Sequence, residues 1–254
     1  MKKTLSTLSV LFISLLIGNS VNSQVAFDVE TGALFQGMND VRISGDQGTL
    51  FSLQDDFEPS TTAFLRVRAN YTLKSRHTFS LLYAPLKVTG VGTLENDLLF
   101  NGDIFLANTQ LNSTYVFNSY RLTYRYRIVD RPKFEFGLGL TAKIRDANIG
   151  ISSPTLNSEK TNVGFVPIIN FRLFYKHNEK LGLLFEGDAL AAPQGRAEDV
   201  QIAGTYKFND NFDFRLGYRI LEGGADNDEV YNFSLFHYAS VGITYTFNQK
   251  TVSE

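Results

Sequence analysis

The fold is decided by the stretch Tyr115-Val116-Phe117-Asn118-Ser119-Tyr120-Arg121-Leu122-Thr123-Tyr124-Arg125-Tyr126-Arg127-Ile128. Its even-numbered positions are mostly apolar or aromatic, whereas its odd-numbered positions from Ser119 onward are polar or charged. Successive side chains of a β-strand point to opposite faces, so this period of two predicts a long strand with one apolar and one charged face. The segment 134–146 repeats the pattern.

Comparable segments recur along the chain, and the connections between them alternate between short and long. The short connections contain Asn, Asp, Pro and Ser, which favour tight turns. Tight turns at one end and long loops at the other are typical of transmembrane β-barrels. The predicted fold class is therefore all-β: an antiparallel up-and-down transmembrane barrel of ten strands, with short periplasmic turns and long extracellular loops. The predicted strands are 25–37, 62–73, 78–89, 114–129, 134–146, 161–176, 181–192, 200–208, 212–223 and 233–247, and the predicted long loops are 38–61, 90–113, 147–160, 193–199 and 224–232.

An export signal precedes the first predicted strand. Lys2 and Lys3 form a short basic region, which is followed by the apolar run 5–17 and by small and polar residues. This run is shorter than the roughly 20 residues that a membrane-spanning helix needs. The pattern predicts a signal peptide over residues 1–23 and one barrel domain over residues 24–254. The absence of Cys excludes disulfides, a lipid anchor and thiolate metal sites.

The apolar face is predicted to contact lipid, although a soluble barrel would turn the same face inward. Its only charged residues are Lys87, Asp146 and Glu222, all near predicted long loops. A central lipid-facing Arg or Lys would cost roughly 2–4 kcal/mol. Aromatic residues gather on this face beside the short turns, as in an interfacial girdle. They are Tyr71, Phe79, Tyr126, Phe134, Tyr175, Tyr206, Phe208, Phe212, Tyr245 and Phe247.

The last predicted strand ends in Val241-Gly242-Ile243-Thr244-Tyr245-Thr246-Phe247. It resembles the aromatic-ended strand that the barrel-assembly machinery recognises, although residues 248–254 follow the final aromatic. The whole mature chain resembles Gram-negative outer-membrane β-barrel proteins of an uncharacterised type, and the segments 164–167, 192–197 and 219–233 are similar to segments of such barrels. The resemblance implies a location in the cell outer membrane and implies no particular activity.

The charged face is predicted to line the barrel lumen. Cations outnumber anions on this face, whereas the long loops are mainly acidic. A basic bore below an acidic rim could select small anions. A ten-stranded barrel is also narrow enough for side chains to fill, which favours a salt-bridged plug. Glu135 is predicted to be one of the carboxylates that pair with the luminal arginines in this plug. The predicted lumen network, which is also the candidate ligand-binding set, is Arg66, Arg68, Arg121, Arg125, Arg172, Glu186, Asp188, Arg215 and Arg219.

Few residues suit catalysis or metal binding. His77 and His177 lie in predicted short turns, and His237 shares the lipid-facing parity of its strand. The acidic run 226–229 lacks the spacing of an EF-hand calcium loop. We therefore predict no catalytic residues, no metal ligands and no cofactor. The net charge of −2 gives no sign of a nucleic-acid-binding surface.

These observations favour a non-enzymatic role that is structural, mediates surface interactions or binds a small ligand. The first alternative is a narrow, porin-like pore for small anionic solutes. The second is an enzyme that acts on envelope lipid or peptide at the barrel mouth. The expected partners are outer-membrane lipid and lipopolysaccharide, the barrel-assembly machinery and a small anionic ligand, without nucleic acid.

Overall fold

The computed structural model describes residues 23–192 and 195–247, which form an almost entirely β-stranded chain. Residues 1–22 of the predicted signal peptide and the tail 248–254 lie outside the described residues. No helix among the described residues is long and apolar enough to cross a membrane. In chain order the strands are β1 Ser23–Arg42, β2 Phe51–Ser52, β3 Glu58–Pro59, β4 Thr62–Leu73, β5 His77–Ala84, β6 Lys87–Thr93, β7 Leu98–Phe100, β8 Asp103–Phe105, β9 Gln110–Arg131, β10 Phe134–Ser152, β11 Asn157–Lys176, β12 Leu181–Ala192, β13 Gly195–Lys207, β14 Phe212–Asp226 and β15 Tyr231–Phe247.

Ten wall strands close into an antiparallel barrel, which confirms the predicted fold class. The ring runs β1, β4, β5, β9, β10, β11, β12, β13, β14 and β15, and β15 pairs with β1. β5 and β6 pair with successive parts of β9, so they are two pieces of one wall strand. The sequence predicted this strand as continuous over 78–89. The interruption falls at Pro85 and Leu86, because proline has no N–H to donate to a neighbouring strand.

The two ends of the barrel differ from each other. At one end the predicted short turns are confirmed, and we call it the short-turn end. At the other, the long-loop end, several strands extend beyond their predicted limits. β10 reaches Ser152, and β12 and β13 stay paired up to Ala192 and Gly195, so much of the predicted loops 147–160, 193–199 and 224–232 is strand. These extensions continue the hydrogen-bonded ladders. They include Ile149 and Ile151 of β10, whose side chains are buried inside the barrel.

The apolar face of the wall points outward, as predicted. Leu140 and Leu216 expose 66% and 70% of their surface. The girdle residues Phe79, Tyr126, Tyr175, Tyr206, Phe208 and Phe247 are also exposed at the short-turn end. Such a band of exposed apolar side chains suits contact with lipid.

The first two long loops fold inward and occupy part of the long-loop half of the barrel. The hairpin β7–β8 turns through Asn101 and Gly102, whose positive φ angles of 53° and 89° are those of a tight type I′ turn. Backbone hydrogen bonds of 2.9 Å from Thr49 N to Leu99 O and from Asn101 N to Ile43 O join the two loops. We call the result the apolar cap. It contains Ile43, Phe51, Leu53, Phe57, Leu98, Phe100 and Phe105, packed on the wall residues Leu34, Phe64, Phe236 and Tyr238.

Candidate functional site

A layer of charged side chains crosses the barrel interior on the short-turn side of the apolar cap. Its members project from the inward face of the wall strands, because alternate residues of each strand point into the barrel. We call it the ionic layer. It consists of Asp28, Glu30, Arg66, Arg68, Arg121, Arg172, Glu186, Asp188, Asp199, Arg215 and Arg219.

Asp199 is the centre of one half of this layer. Its carboxylate lies 2.9 Å from Arg66 Nη2, 2.6 Å from Arg121 Nη2 and 2.5 Å from Arg219 Nη1. The sequence interpretation missed it, because residues 193–199 were assigned to a loop. The inward parity of the following strand, extended back from Gln201 by two residues, would have identified it.

Glu30 is the second centre. Arg219 donates two hydrogen bonds of 2.9 Å to its carboxylate, from Nε and Nη2, and Arg215 donates a third of 3.0 Å. Gln201 also donates to Glu30, at 3.2 Å. Arg215 continues the network to Asp28. Arg219 and Glu30 are only 1% and 2% exposed, so this is a buried, charge-assisted network.

Other ion pairs join opposite walls. Arg68 on β4 lies 2.8 Å from Glu186 on β12, and these strands are diametrically opposed in the ring of ten. Glu186 also contacts Arg172 at 2.5 Å. On the same side, Asp188 accepts hydrogen bonds from Arg121 at 2.7 Å and Thr141 at 2.6 Å. At this level, therefore, side chains from opposed strands meet across the bore.

Most of the predicted lumen residues are thus brought together, with two exceptions. Arg125 faces the interior and donates a 3.3 Å hydrogen bond to Asn170, but it forms no ion pair with any described residue. Glu135, predicted to neutralise the luminal arginines, instead lies 3.3 Å from Arg127 near the short-turn end. It sits too close to the end of β10 to reach the ionic layer.

A cavity of about 730 Å³ opens beside the apolar cap at the long-loop end. We call it the mouth cavity. Apolar residues make up much of its wall, including Tyr115, Phe117, Ile149, Leu221 and Val230. Its volume is within the range of roughly 300–1,000 Å³ that is usual for small-molecule sites. Reasoning from the sequence did not predict this cavity, because it depends on how the loops fold inward.

Two inward cations of β10 line the mouth cavity. Lys143 is 3% exposed, and its ammonium lies 4.6 Å from the centre of the Phe117 ring. Arg145 hydrogen-bonds the side-chain oxygen of Asn162. Within residues 23–192 and 195–247, neither cation has a carboxylate partner within 4.0 Å. With Lys160 and Arg196 these two side chains make four cations against the three acids Glu222, Asp228 and Glu229 in the lining of the cavity.

Two of the three acids that line the cavity, Glu222 and Glu229, have cationic partners, whereas Asp228 forms no ion pair with a described residue. Lys160 Nζ lies 2.9 Å from Glu229, and this hydrogen bond lowers the pKa of the exposed Glu229 carboxyl. Arg196 lies 2.5 Å from Glu222. These rim carboxylates are thus engaged away from Lys143.

The histidines do not join either site. His237 Nδ1 lies 2.5 Å from the hydroxyl of Tyr218, and the rings stack with centroids 6.0 Å apart on the outer face. His77 contacts Tyr124 at 2.9 Å near the short-turn end. In the described part of the chain, no three His, Cys, Asp or Glu residues are grouped so that they could hold a metal ion.

Comparisons with known proteins identify the fold class. No family model matches the chain, and no curated protein matches it. Among solved structures, the outer-membrane protease OmpT of Escherichia coli matches with a TM-score of 0.59 at 10% identity, covering 90% of this chain and 99% of OmpT. The translocator domain of the autotransporter NalP from Neisseria meningitidis matches at 0.44 and 11% identity, covering 92% of each chain. Ail of Yersinia pestis, in complex with a heparin analogue, matches at 0.39 and 10% identity, covering 88% of this chain and 99% of Ail.

The chain therefore resembles bacterial outer-membrane β-barrel proteins, as predicted. At these identities the likeness concerns the fold alone. The functional argument depends on the residues of this chain.

Proposed function

We propose that this protein is a non-enzymatic outer-membrane barrel that binds a small anionic ligand in the mouth cavity. The observation that carries the proposal is the buried Lys143 ammonium, which lines the cavity without a carboxylate partner among the described residues. The outward apolar band supports the membrane location. The position of the cavity at the long-loop end supports its exposure at the outer surface.

An anionic ligand would supply what Lys143 and Arg145 lack. Burying a charge is costly unless it is paired or hydrogen-bonded. A carboxylate, phosphate or sulfate group between the two cations would provide charge-assisted hydrogen bonds, while apolar walls such as Phe117 and Leu221 would contact the rest of the ligand.

The ionic layer argues against the alternative of an anion pore. A permeating ion would have to pass the contact between Arg68 and Glu186, which joins opposite walls. It would also have to displace the buried carboxylates of Glu30 and Asp199 from their arginines. Conduction needs sites that bind ions weakly enough to release them, and these arginines are already engaged.

Calorimetry in a neutral detergent tests the proposal. Hexanoate should bind saturably to the purified barrel, and the uncharged hexanol should bind at least about tenfold more weakly because it lacks the charge-assisted bonds. Lys143→Met should weaken hexanoate binding by a similar factor. Lys207→Met, which removes a cation at the short-turn end, serves as the matched control and should leave binding unchanged. Equal affinity for hexanoate and hexanol, or no binding of either, would contradict the proposal.

A further inference from the structure

The barrel wall is incompletely paired between β11 and β12. Pairing of these strands extends from Lys176 and Gly182 up to Ile169 and Ala189, and stops there. β11 nevertheless continues to Asn157, paired with β10 on its other edge throughout. β12 ends at Ala192, where it is paired with Gly195 of β13. Within the described residues, one edge of β11 therefore has no neighbouring strand between Ile169 and the long-loop end, the direction that we call above.

Proline contributes to this opening. Pro167 lies two residues above the last pair, and it has no N–H to donate to an adjacent strand. Within sheets, proline is confined to edges and irregular positions. Pro167 lies where β11 changes from a strand paired on both edges to a strand paired only with β10.

The unpaired edge lies at the top of the apolar band. Val163 and Phe165 face outward above the last pair and are 70% and 68% exposed. The stretch from Tyr175 to Phe165 spans eleven residues by number, which matches the roughly 9–11 residues that carry a strand across a bilayer. On the nearby strands β13 and β14, the outward Arg196 and Glu222 form an ion pair, as expected at the level of lipid headgroups.

The mouth cavity reaches this edge. Phe165 and Val166 of β11 line it, and so do Leu190 of β12 and Ala197 of β13. The lining of the cavity that contains Lys143 and Arg145 therefore extends to the unpaired region between β11 and the adjoining ends of β12 and β13, and we call this apolar boundary the side port. It points to the outer part of the surrounding lipid.

We infer that the ligand of the mouth cavity is a single-tailed anionic amphiphile that enters from the membrane. Its anionic head lies at Lys143 and Arg145, and its alkyl tail passes between Val166 and Leu190 into the lipid. This inference rests on the proposed function, because it assumes that the cavity binds anions. It adds the chemical class of the ligand and its route.

A reversible lock on the side port tests the inference. The register of β11 and β12, continued by two residues, sets Pro167 opposite Ala191. The chain has no Cys of its own, so the two thiols of P167C/A191C are the only ones open to oxidation, and mass spectrometry of the monomer identifies the intended disulfide. Reduced protein should bind tetradecanoate at least about tenfold more tightly than hexanoate, because the longer tail buries more apolar surface. Oxidation should abolish that preference and leave hexanoate binding unchanged.

The outcomes separate the two proposals. If neither anion binds, the proposed function fails and the inference fails with it. If hexanoate binds but tetradecanoate has no advantage, or if oxidation leaves its advantage intact, only the side port is overturned.

A second variant does not depend on disulfide formation. The chain lacks Trp, so Leu190→Trp introduces a single Trp at the side port, which can be excited apart from the tyrosines. Tetradecanoate brominated along its tail should quench this Trp saturably, and unbrominated tetradecanoate should reverse the quenching. Val230→Trp, elsewhere on the cavity wall, is the matched control and should be quenched less. Equal saturable quenching at both positions, or none at Leu190→Trp, would overturn the inference.

Discussion

The ionic layer and the mouth cavity are built from the same kind of residue and differ in how its charge is balanced. Both contain long cationic side chains on the inward face of the wall. In the ionic layer, arginines such as Arg219 meet carboxylates from other strands. In the mouth cavity, Lys143 and Arg145 have no such partner among the described residues. The excess of luminal cations therefore indicates a ligand site only where the opposite wall supplies no acid.

The largest expected effect comes from breaking the ionic layer at Asp199. Asp199→Asn keeps the size of the side chain but leaves Arg66, Arg121 and Arg219 without their shared carboxylate. Removing one partner of a buried ion pair typically costs about 3–5 kcal/mol. We expect a loss of this order in the free energy of unfolding, measured by urea titration in lipid vesicles.

The matched control is Asp210→Asn, at an exposed ion pair with Lys207 on a short turn. It should leave the unfolding midpoint almost unchanged, because exposed ion pairs contribute little. Similar losses for both variants would mean that the ionic layer is no more important than surface charge.

The comparison also assumes that the charged face is luminal, and a change on the opposite face tests this. Leu140→Arg places a charge in the middle of the outward band and should destabilise the barrel by roughly 2–4 kcal/mol. Leu106→Arg is a close control, since Leu106 is 67% exposed and Leu140 is 66% exposed, but Leu106 lies in the second long loop. Equal unfolding free energies for these two variants in vesicles would argue against lipid contact.

A smaller effect is expected where a side chain of the ionic layer is partly exposed to solvent. Arg172 is 35% exposed at its side chain, and it contacts the buried Glu186 at 2.5 Å. Glu186→Gln should destabilise the barrel, and adding Arg172→Met should restore part of the loss. A double-mutant cycle should give a coupling of roughly 0.5–3 kcal/mol. Strictly additive losses would show that these two residues do not stabilise each other.

The smallest effect on stability is expected at Lys143. Lys143→Met removes a buried cation that has no carboxylate partner, so the unfolding free energy should not fall. The same change should remove most of the hexanoate binding. Differential unfolding curves with and without ligand measure both effects on one sample. A clear loss of stability in the absence of ligand would assign Lys143 to the ionic layer.

Much of the fold could be predicted from the sequence because alternation records which side of the wall each residue faces. The outward Leu140 and the inward Arg121 follow from parity alone. Strand ends were harder to predict. Gly195 is a turn-forming residue, yet it begins β13 because it is in register with the partner strand. Assigning this segment to a loop is the reason that Asp199 was missed.

The candidate site depended on contacts that no local pattern encodes. Parity could place Arg68 and Glu186 in the lumen, but not show that they meet from opposite walls. The mouth cavity depends on the apolar cap, whose residues such as Phe51 and Phe100 lie in segments predicted as loops. Its side port depends on where pairing between β11 and β12 stops. That point is set by the lengths of both strands, and neither strand's pattern gives it alone.

The central claim is that the ionic layer closes the bore, so that the mouth cavity is a binding site and not a vestibule. Single-channel recording in planar lipid bilayers tests it most directly. We predict no steady anion-selective conductance for the unmodified barrel, because Arg68 and Glu186 meet across the axis. A stable anion-selective conductance that falls when Arg68 or Arg121 is replaced by alanine would contradict the claim and identify the protein as a pore.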